Sequence, residues 1–139
     1  MTTLFDNLKL RVVSKGPITL ADFMSEALGN PEYGYYQNLI SIGEKGDFIT
    51  SPEISQMFGE LIGLWSAVCW QRLGSPRKFY FIELGPGRGT LLLDAIRAAE
   101  GVPGYLDALE FHLVENSPTL RKYQKQSLSK NKNKFAWHE

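Results

Sequence analysis

Glu83-Leu84-Gly85-Pro86-Gly87-Arg88-Gly89-Thr90 is the stretch on which the reading of this 139-residue sequence turns. Before and within it lie Phe79, Tyr80, Phe81, Ile82 and Leu84, a short, nearly continuous apolar run with Glu83 embedded. Such a run suits a strand buried on both faces of a parallel sheet. After it, Leu91, Leu92, Ala95 and Ile96 recur at helical spacing between Thr90 and Ala99. A glycine turn joining a strand end to a helix start is where open α/β sheets bind ligands. Glycines let the backbone approach a ligand with no Cβ in the way, and the first turn of the helix presents N–H groups.

Outward from the turn, the pattern repeats. Gly101, Pro103 and Gly104 interrupt the chain, and Phe111, Leu113 and Val114 form a second strand that ends at Glu115. Ser117 and Pro118 have the N-cap and first-position chemistry of another helix, expected to reach about Ser129. Phe135, Ala136 and Trp137 begin a third strand. Strand, helix, strand, helix in this order is the pattern of a parallel α/β sheet.

Upstream, the sequence reads as helical. Leu4, Phe5, Leu8 and Val12 share one helical face, and Gly16-Pro17 ends that run. Thr19 caps a second helix with Leu20, Phe23, Met24, Ala27 and Leu28 on its apolar side. A long irregular stretch, Glu32 to Thr50, contains Tyr33, Tyr35 and Tyr36, whose buried area and polar handles argue against disorder. One helix is then expected from Ser51 to Leu73, with Ser51 as N-cap and Ile54, Met57, Phe58, Leu61, Trp65, Val68 and Cys69 at helical spacing. The division expected is a helical region over 1–76 followed by the sheet region over 77–139.

The turn has the spacing Gly-x-Gly-x-Gly with an acid two residues ahead, unlike the Gly-x-Gly-x-x-Gly of dinucleotide binders. A dinucleotide offers a pyrophosphate to the helix N-terminus. S-adenosylmethionine has no phosphate, but it carries an ammonium and a sulfonium, which Glu83 can attract. Glu115, thirty positions after Gly85, can accept hydrogen bonds from ribose hydroxyls. The rival reading of Glu115 is an acid placed before Ser117 to complement a helix N-terminus. Arg88 is either a contact to a carboxylate or a solvated turn residue.

Composition narrows the function classes. Fifteen basic residues balance fifteen acidic ones, so no overall charge favours nucleic acid or an anionic membrane. Arg121, Lys122, Lys125, Lys130, Lys132 and Lys134 form a basic run that reads as a solvated face. Cys69 is the only cysteine, which excludes an intrachain disulfide and a thiolate zinc site and fits a buried, inert thiol. No stretch reaches the ~18 apolar residues of a membrane span, and the first residues lack the apolar core of a secretory signal. Lys9, Arg11 and Lys15 give a weak organelle-targeting signal that an amphipathic helix also explains; the cytoplasm is the favoured compartment.

Gly46-Asp47-Phe48-Ile49-Thr50-Ser51-Pro52-Glu53-Ile54-Ser55-Gln56-Met57-Phe58-Gly59-Glu60 is dense in polar side chains around one apolar stripe. With the Glu83–Leu92 and Leu113–Pro118 segments and Pro31-Glu32-Tyr33-Gly34-Tyr35-Tyr36, it resembles the MidA-like methyltransferases, a family that includes a mitochondrial assembly factor for respiratory complex I. The resemblance runs in order over nearly the whole chain. It implies an α/β, Rossmann-like methyltransferase fold with an N-terminal helical extension, S-adenosylmethionine as cofactor, and methylation of arginine in a protein substrate such as a complex I subunit. It implies that Glu83, Gly85, Gly87 and Gly89 hold the methionine end and Glu115 the ribose, with Pro86, Arg88 and Asn116 expected beside them among the cofactor-binding residues. It lays the loop of Asp47, Thr50 and Ser51 over the cofactor. A mitochondrial matrix location would follow for a eukaryotic member.

Length departs from the family. The acidic, Asn-containing segment that helps shape the family's substrate site is missing, so the fold is expected to be incomplete and the chain inactive alone. The catalytic carboxylate is unassigned, with Glu53, Glu60 and Asp47 as candidates. An unpaired Phe79–Leu84 edge is expected to drive association. The alternatives are a non-catalytic interaction module and half of a nucleotide-binding oxidoreductase.

Overall fold

The computed structural model describes residues 3–37 and 48–139. Asp47, with Gly43 and Gly46, lies outside the described residues. The C-terminal part alternates as expected: β1 (Phe79–Leu84), α5 (Thr90–Ala99), a short α6 (Tyr105–Ala108), β2 (Leu109–Val114), α7 (Pro118–Leu128) and β3 (Lys134–His138). The strands form a parallel sheet in the order β1-β2-β3, with Phe81 opposite Phe111 and Phe111 opposite Phe135. Ser117 caps α7 as expected, its hydroxyl accepting from the N–H of Leu120 with Pro118 in the first turn.

One face of the sheet carries the core. Phe79 and Phe81 on β1, Leu109, Phe111 and Leu113 on β2, and Phe135 and Trp137 on β3 pack with Leu92, Ile96 and Ala99 of α5 and Leu128 of α7. Tyr105, 1% exposed, belongs to this core; its ring lies 5.5 Å from Trp70, and its hydroxyl donates to Ser66 Oγ at 2.8 Å. The opposite face is bare among the described residues. Ile82 is 62% and Leu84 77% exposed, and Tyr80 is also exposed. The apolar run of β1 therefore does not mean burial on two faces here. It alternates, with Phe79, Phe81 and Glu83 turned to the helices and Tyr80, Ile82 and Leu84 turned away.

Two expectations upstream need correction. The single helix over Ser51–Leu73 is two, α3 (Ser51–Ile54) and α4 (Gln56–Arg72). Ser55 breaks them with an extended backbone (φ −151°, ψ 126°) and caps the second, its hydroxyl accepting from the Met57 N–H. Thr50, one residue before the expected cap, has the N-cap backbone of α3. The apolar stripe Ile54, Met57, Phe58, Leu61, Trp65 and Val68 is exposed rather than buried, and Cys69 is only half-buried. The buried residues of α4 are Gly59, Gly63, Ser66, Ala67 and Trp70, and of these Gly59 and Gly63 lie directly against α5. Size explains this, because residues without bulk let two helix backbones come into contact. A Cβ on Gly63 would stand 2.4 Å from the carbonyl oxygen of Ala95.

The N-terminal helices are α1 (Leu4–Lys15) and α2 (Leu20–Gly29). Thr3 and Asp6 form a reciprocal capping box on α1, and Thr19 caps α2 as expected. Arg11 ties the two together, 3.7 Å from both Asp22 and Glu26. A 3₁₀ turn at Tyr35–Gln37 carries the chain from α2 toward the sheet.

Candidate functional site at the glycine turn

All three glycines of the turn are in the left-handed region, at φ 63°, 54° and 77° for Gly85, Gly87 and Gly89. A side chain at any of them would strain the backbone, which accounts for the spacing of the motif. Gly85 N–H extends the sheet ladder by donating to Val114 O at 2.9 Å, and Gly89 N–H closes the turn on Pro86 O at 2.7 Å. Gly89 then caps α5.

Two cavities meet over this turn. The larger, about 690 Å³, is lined by Gly85, Gly87, Val114, Glu115, Asn116, Ser117 and Leu120, with Ala21, Met24, Ser25 and Leu28 of α2 as its far wall. The smaller, about 440 Å³, is lined by Glu83, Pro86, Arg88 and Thr90 on one side and by Phe48, Thr50, Ser51, Glu53 and Phe58 on the other. Tyr36, Gly85 and Gly87 border both. The described residues expected at the site thus converge, except that Gly89 supports the turn from behind, facing Cγ of Gln124.

The two acids expected at the strand ends share one face. Glu83 is in register with Leu113, and Glu115 lies two residues further along the neighbouring strand, so the side chains of all three point the same way. Strand spacing and rise put the two acids' Cα atoms about 8 Å apart. Their environments differ. Glu83 Oε2 is buried with no hydrogen-bond partner among the described residues, and burial pushes its carboxyl up to about 7. A buried, unpaired carboxyl oxygen at a cavity wall is a group made for a ligand donor. Glu115 is buried and anchored: Oε1 accepts from Ser117 N–H at 2.8 Å and Oε2 from the Gln124 amide at 3.3 Å. Glu115 therefore serves the start of α7, and it also lines the larger cavity.

Arg88 is not merely a solvated turn residue. Its guanidinium donates to Tyr123 Oη at 3.1 Å and lies 5.2 Å from that ring, and the phenol and Glu53 raise its already high pKa. Of the candidate carboxylates, Glu53 lines the smaller cavity and accepts from Thr90 Oγ1 at 2.5 Å. Glu60 is engaged outside it, 2.9 Å from Arg97.

Three contributors escaped the sequence reading: the wall made by α2, Tyr36 between the cavities, and Gln124 behind them. Gln124 left a signal, because it falls four residues from both Leu120 and Leu128 on the buried stripe of α7.

Comparison with known proteins gives this geometry a context. Residues 61–139 match the model of a family described as "Putative S-adenosyl-L-methionine-dependent methyltransferase". Among curated proteins, the chain is 48% identical to "Protein arginine methyltransferase NDUFAF7 homolog, mitochondrial" of Drosophila melanogaster, over 89% of this chain and 28% of that protein. It is 46% identical to the Homo sapiens "Protein arginine methyltransferase NDUFAF7, mitochondrial", over 95% of this chain and 30% of that one. The chain thus spans less than a third of the length of these relatives. A Burkholderia thailandensis protein solved with S-adenosyl-homocysteine bound superposes with a TM-score of 0.81 at 25% identity, over 98% of this chain and 36% of that chain. A second structure from that organism gives 0.67 at 27% identity. The described residues correspond to about a third of that solved methyltransferase chain. With the family's model matched from within α4 through the glycine turn and the three strands, this chain belongs to the S-adenosyl-L-methionine-dependent methyltransferase family so described.

Proposed function

We propose that this chain forms the S-adenosylmethionine-binding portion of a protein arginine methyltransferase. The observation that carries the reading is the orphaned, buried Oε2 of Glu83 at the wall of a cavity that continues over the glycine turn to Glu115. The residues present fit the cofactor. Glu83 would supply a carboxylate for the ammonium, Arg88 a cation for the carboxylate, and the left-handed glycines a bare backbone for the sulfonium-bearing methionine chain. Glu115 and Asn116 would hold the ribose, and Ala21, Met24 and Leu28 of α2 would cover the adenine. Residues 77–139 make the floor, and residues 1–76 supply the outer walls through α2, Tyr36, Thr50 and Ser51; Asp47 is proposed to join them.

The cofactor, when bound, supplies an electrophilic methyl group on a sulfonium. This chain's contribution is alignment and charge. Glu53, held by Thr90 and facing the same cavity as Glu83, is the described carboxylate placed to orient a guanidinium. The substrate reading, a protein arginine, rests on the relatives' names, as does a mitochondrial location. A role in assembling respiratory complex I rests on the family resemblance alone.

Calorimetry with S-adenosylhomocysteine and NAD tests the reading. The chain is expected to bind the first and not the second. Glu115→Ala should weaken S-adenosylhomocysteine by about tenfold to a hundredfold, the worth of hydrogen bonds to a charged acceptor. Binding of NAD in its place would return the site to the oxidoreductases, and binding of neither would leave an interaction module.

The bare sheet face carries its own expectation. Exposed Ile82 and Leu84, beside a β1 edge that pairs with no strand among the described residues, favour self-association of the isolated chain. Light scattering on the chain should show oligomers that Ile82→Lys with Leu84→Lys converts to monomers. A clean wild-type monomer would refute the idea.

A further inference from the structure

We propose that Gln124 is a positioning residue that locks the glycine turn and the Glu115 carboxylate into one rigid unit, so that both are presented to the nucleoside together. The inference rests on the S-adenosylmethionine reading above and adds to it a residue that touches no ligand.

Gln124 is 0% exposed, on a stripe where leucine precedes it at 120 and follows it at 128. An amide buried in such a place is costly unless its hydrogen bonds are made. Here they are. Nε2 donates to Gly87 O at 2.8 Å and to Glu115 Oε2 at 3.3 Å, and Oε1 accepts from Trp137 Nε1 at 3.0 Å. The orientation of the amide has only one consistent solution. An indole N–H only donates, so the oxygen must face Trp137, while a carbonyl and a carboxylate only accept, so the nitrogen must face them. One side chain therefore joins three elements: the turn, the end of β2 and the end of β3.

Each bond has a consequence for the site. Tying down Gly87 O fixes the plane of the peptide between Gly87 and Arg88, the centre of the turn shared by both cavities. Gly89, packed 3.8 Å from Gln124 Cγ at its Cβ position, is supported from the same side. On Glu115, Gln124 holds one oxygen and Ser117 N–H holds the other at 2.8 Å, which fixes the carboxylate plane. An ionised carboxylate has about four acceptor sites, so one on each oxygen stays available to a ligand diol.

The test uses the 139-residue chain and two ligands, S-adenosylhomocysteine and its 2′-deoxy analogue, titrated by calorimetry. In the wild type, loss of the hydroxyl should weaken binding about tenfold, as for a hydrogen bond to a charged acceptor. In Gln124→Met, which keeps the volume, S-adenosylhomocysteine should bind about tenfold more weakly, and the penalty for losing the hydroxyl should fall below about threefold. Gln124→Asn, polar but too short to span the three partners, should behave like Gln124→Met. An unchanged hydroxyl penalty in both variants overturns the proposal. A ligand-free arm keeps the two readings separable. Hydrogen exchange at the Gly89 amide should speed up in Gln124→Met while amides of α4 and α5 keep their protection. If the wild type binds no S-adenosylhomocysteine, the functional reading falls and this arm alone decides the role of Gln124. Exchange that is unchanged at Gly89, or raised uniformly through both variants, overturns the proposal and makes Gln124 an ordinary core residue.

Discussion

Gly63→Val is expected to destabilise the chain by about 3 kcal/mol or more, at the upper end for overpacked sites, and to lower its melting temperature by about 10 °C. The reason is that the obstruction is backbone. A Cβ at this position would lie 2.4, 2.6 and 2.8 Å from O, Cα and C of Ala95, and none of these can swing aside as a side-chain tip would. Helices α4 and α5 would have to separate. That separation would loosen Ala67 and Trp70 from the core and pull Glu53, one short helix upstream, away from Thr90. A loss of S-adenosylhomocysteine binding should therefore accompany the loss of stability. Gly101→Ala is the matched control, since nothing lies within 4 Å of its built Cβ and its backbone is not in the left-handed region. Its effect should stay within about 0.5 kcal/mol, as for surface sites. Circular-dichroism melts of both variants settle the point, and a Gly63→Val melt within a few degrees of wild type would show that the two helices slide apart freely.

The same glycine marks where the sequence stopped being legible. Hydrophobic periodicity finds the helical run of α4 but misses the break at Ser55, and it selects the wrong face, because it scores Leu61 and Trp65 above Gly59, Gly63 and Ser66. Packing here is governed by how closely two backbones can approach, a property of small size that hydropathy does not measure. Strand β1 fails for a related reason. Six residues that are nearly all apolar look buried on both sides, yet exposure alternates along them, and no local feature of Tyr80, Ile82 or Leu84 shows whether helices cover them.

The turn and the strand-end acids were readable because their chemistry is local. A glycine needed for a positive φ, or an acid at the end of a strand, announces itself within a few residues. What Glu115 and Gln124 do together spans nine residues on two elements, and the third partner, Trp137, arrives on another strand. The basic run around Gln124 reads as a solvated face, and much of it is one. Leu120, Gln124 and Leu128 form the buried stripe inside it, and the polar member of that stripe is the one that supports the site.

Glu83→Gln is expected to stabilise the ligand-free chain above neutral pH while weakening its hold on S-adenosylhomocysteine, a pair of opposite effects with one cause. Burial raises the Glu83 carboxyl from 4.5 to about 7, so the folded chain holds this proton more tightly than the unfolded chain does. The carboxyl then favours the folded state most at low pH, and that contribution is lost as pH climbs from the ordinary carboxylate range through about 7. By about pH 8 the ionised, unpaired group costs up to about 3 kcal/mol, which a neutral amide does not incur. Ligand binding should run the other way, because an ammonium selects the ionised carboxylate. Affinity should be roughly tenfold weaker at about pH 6 than at about pH 7.5, with proton release on binding, as follows when the ligand must first strip a proton held at about 7. In Glu83→Gln the affinity should be lower by about tenfold to a hundredfold and nearly flat across that interval, since no charge remains to titrate. Calorimetry at several pH values in buffers of different ionisation enthalpy measures both the affinity and the proton count. A wild-type affinity that does not change over this range, or a variant that keeps the wild-type slope, would mean that the orphaned carboxyl oxygen does not meet the ligand's ammonium, and the orientation of the cofactor in the smaller cavity would have to be reversed.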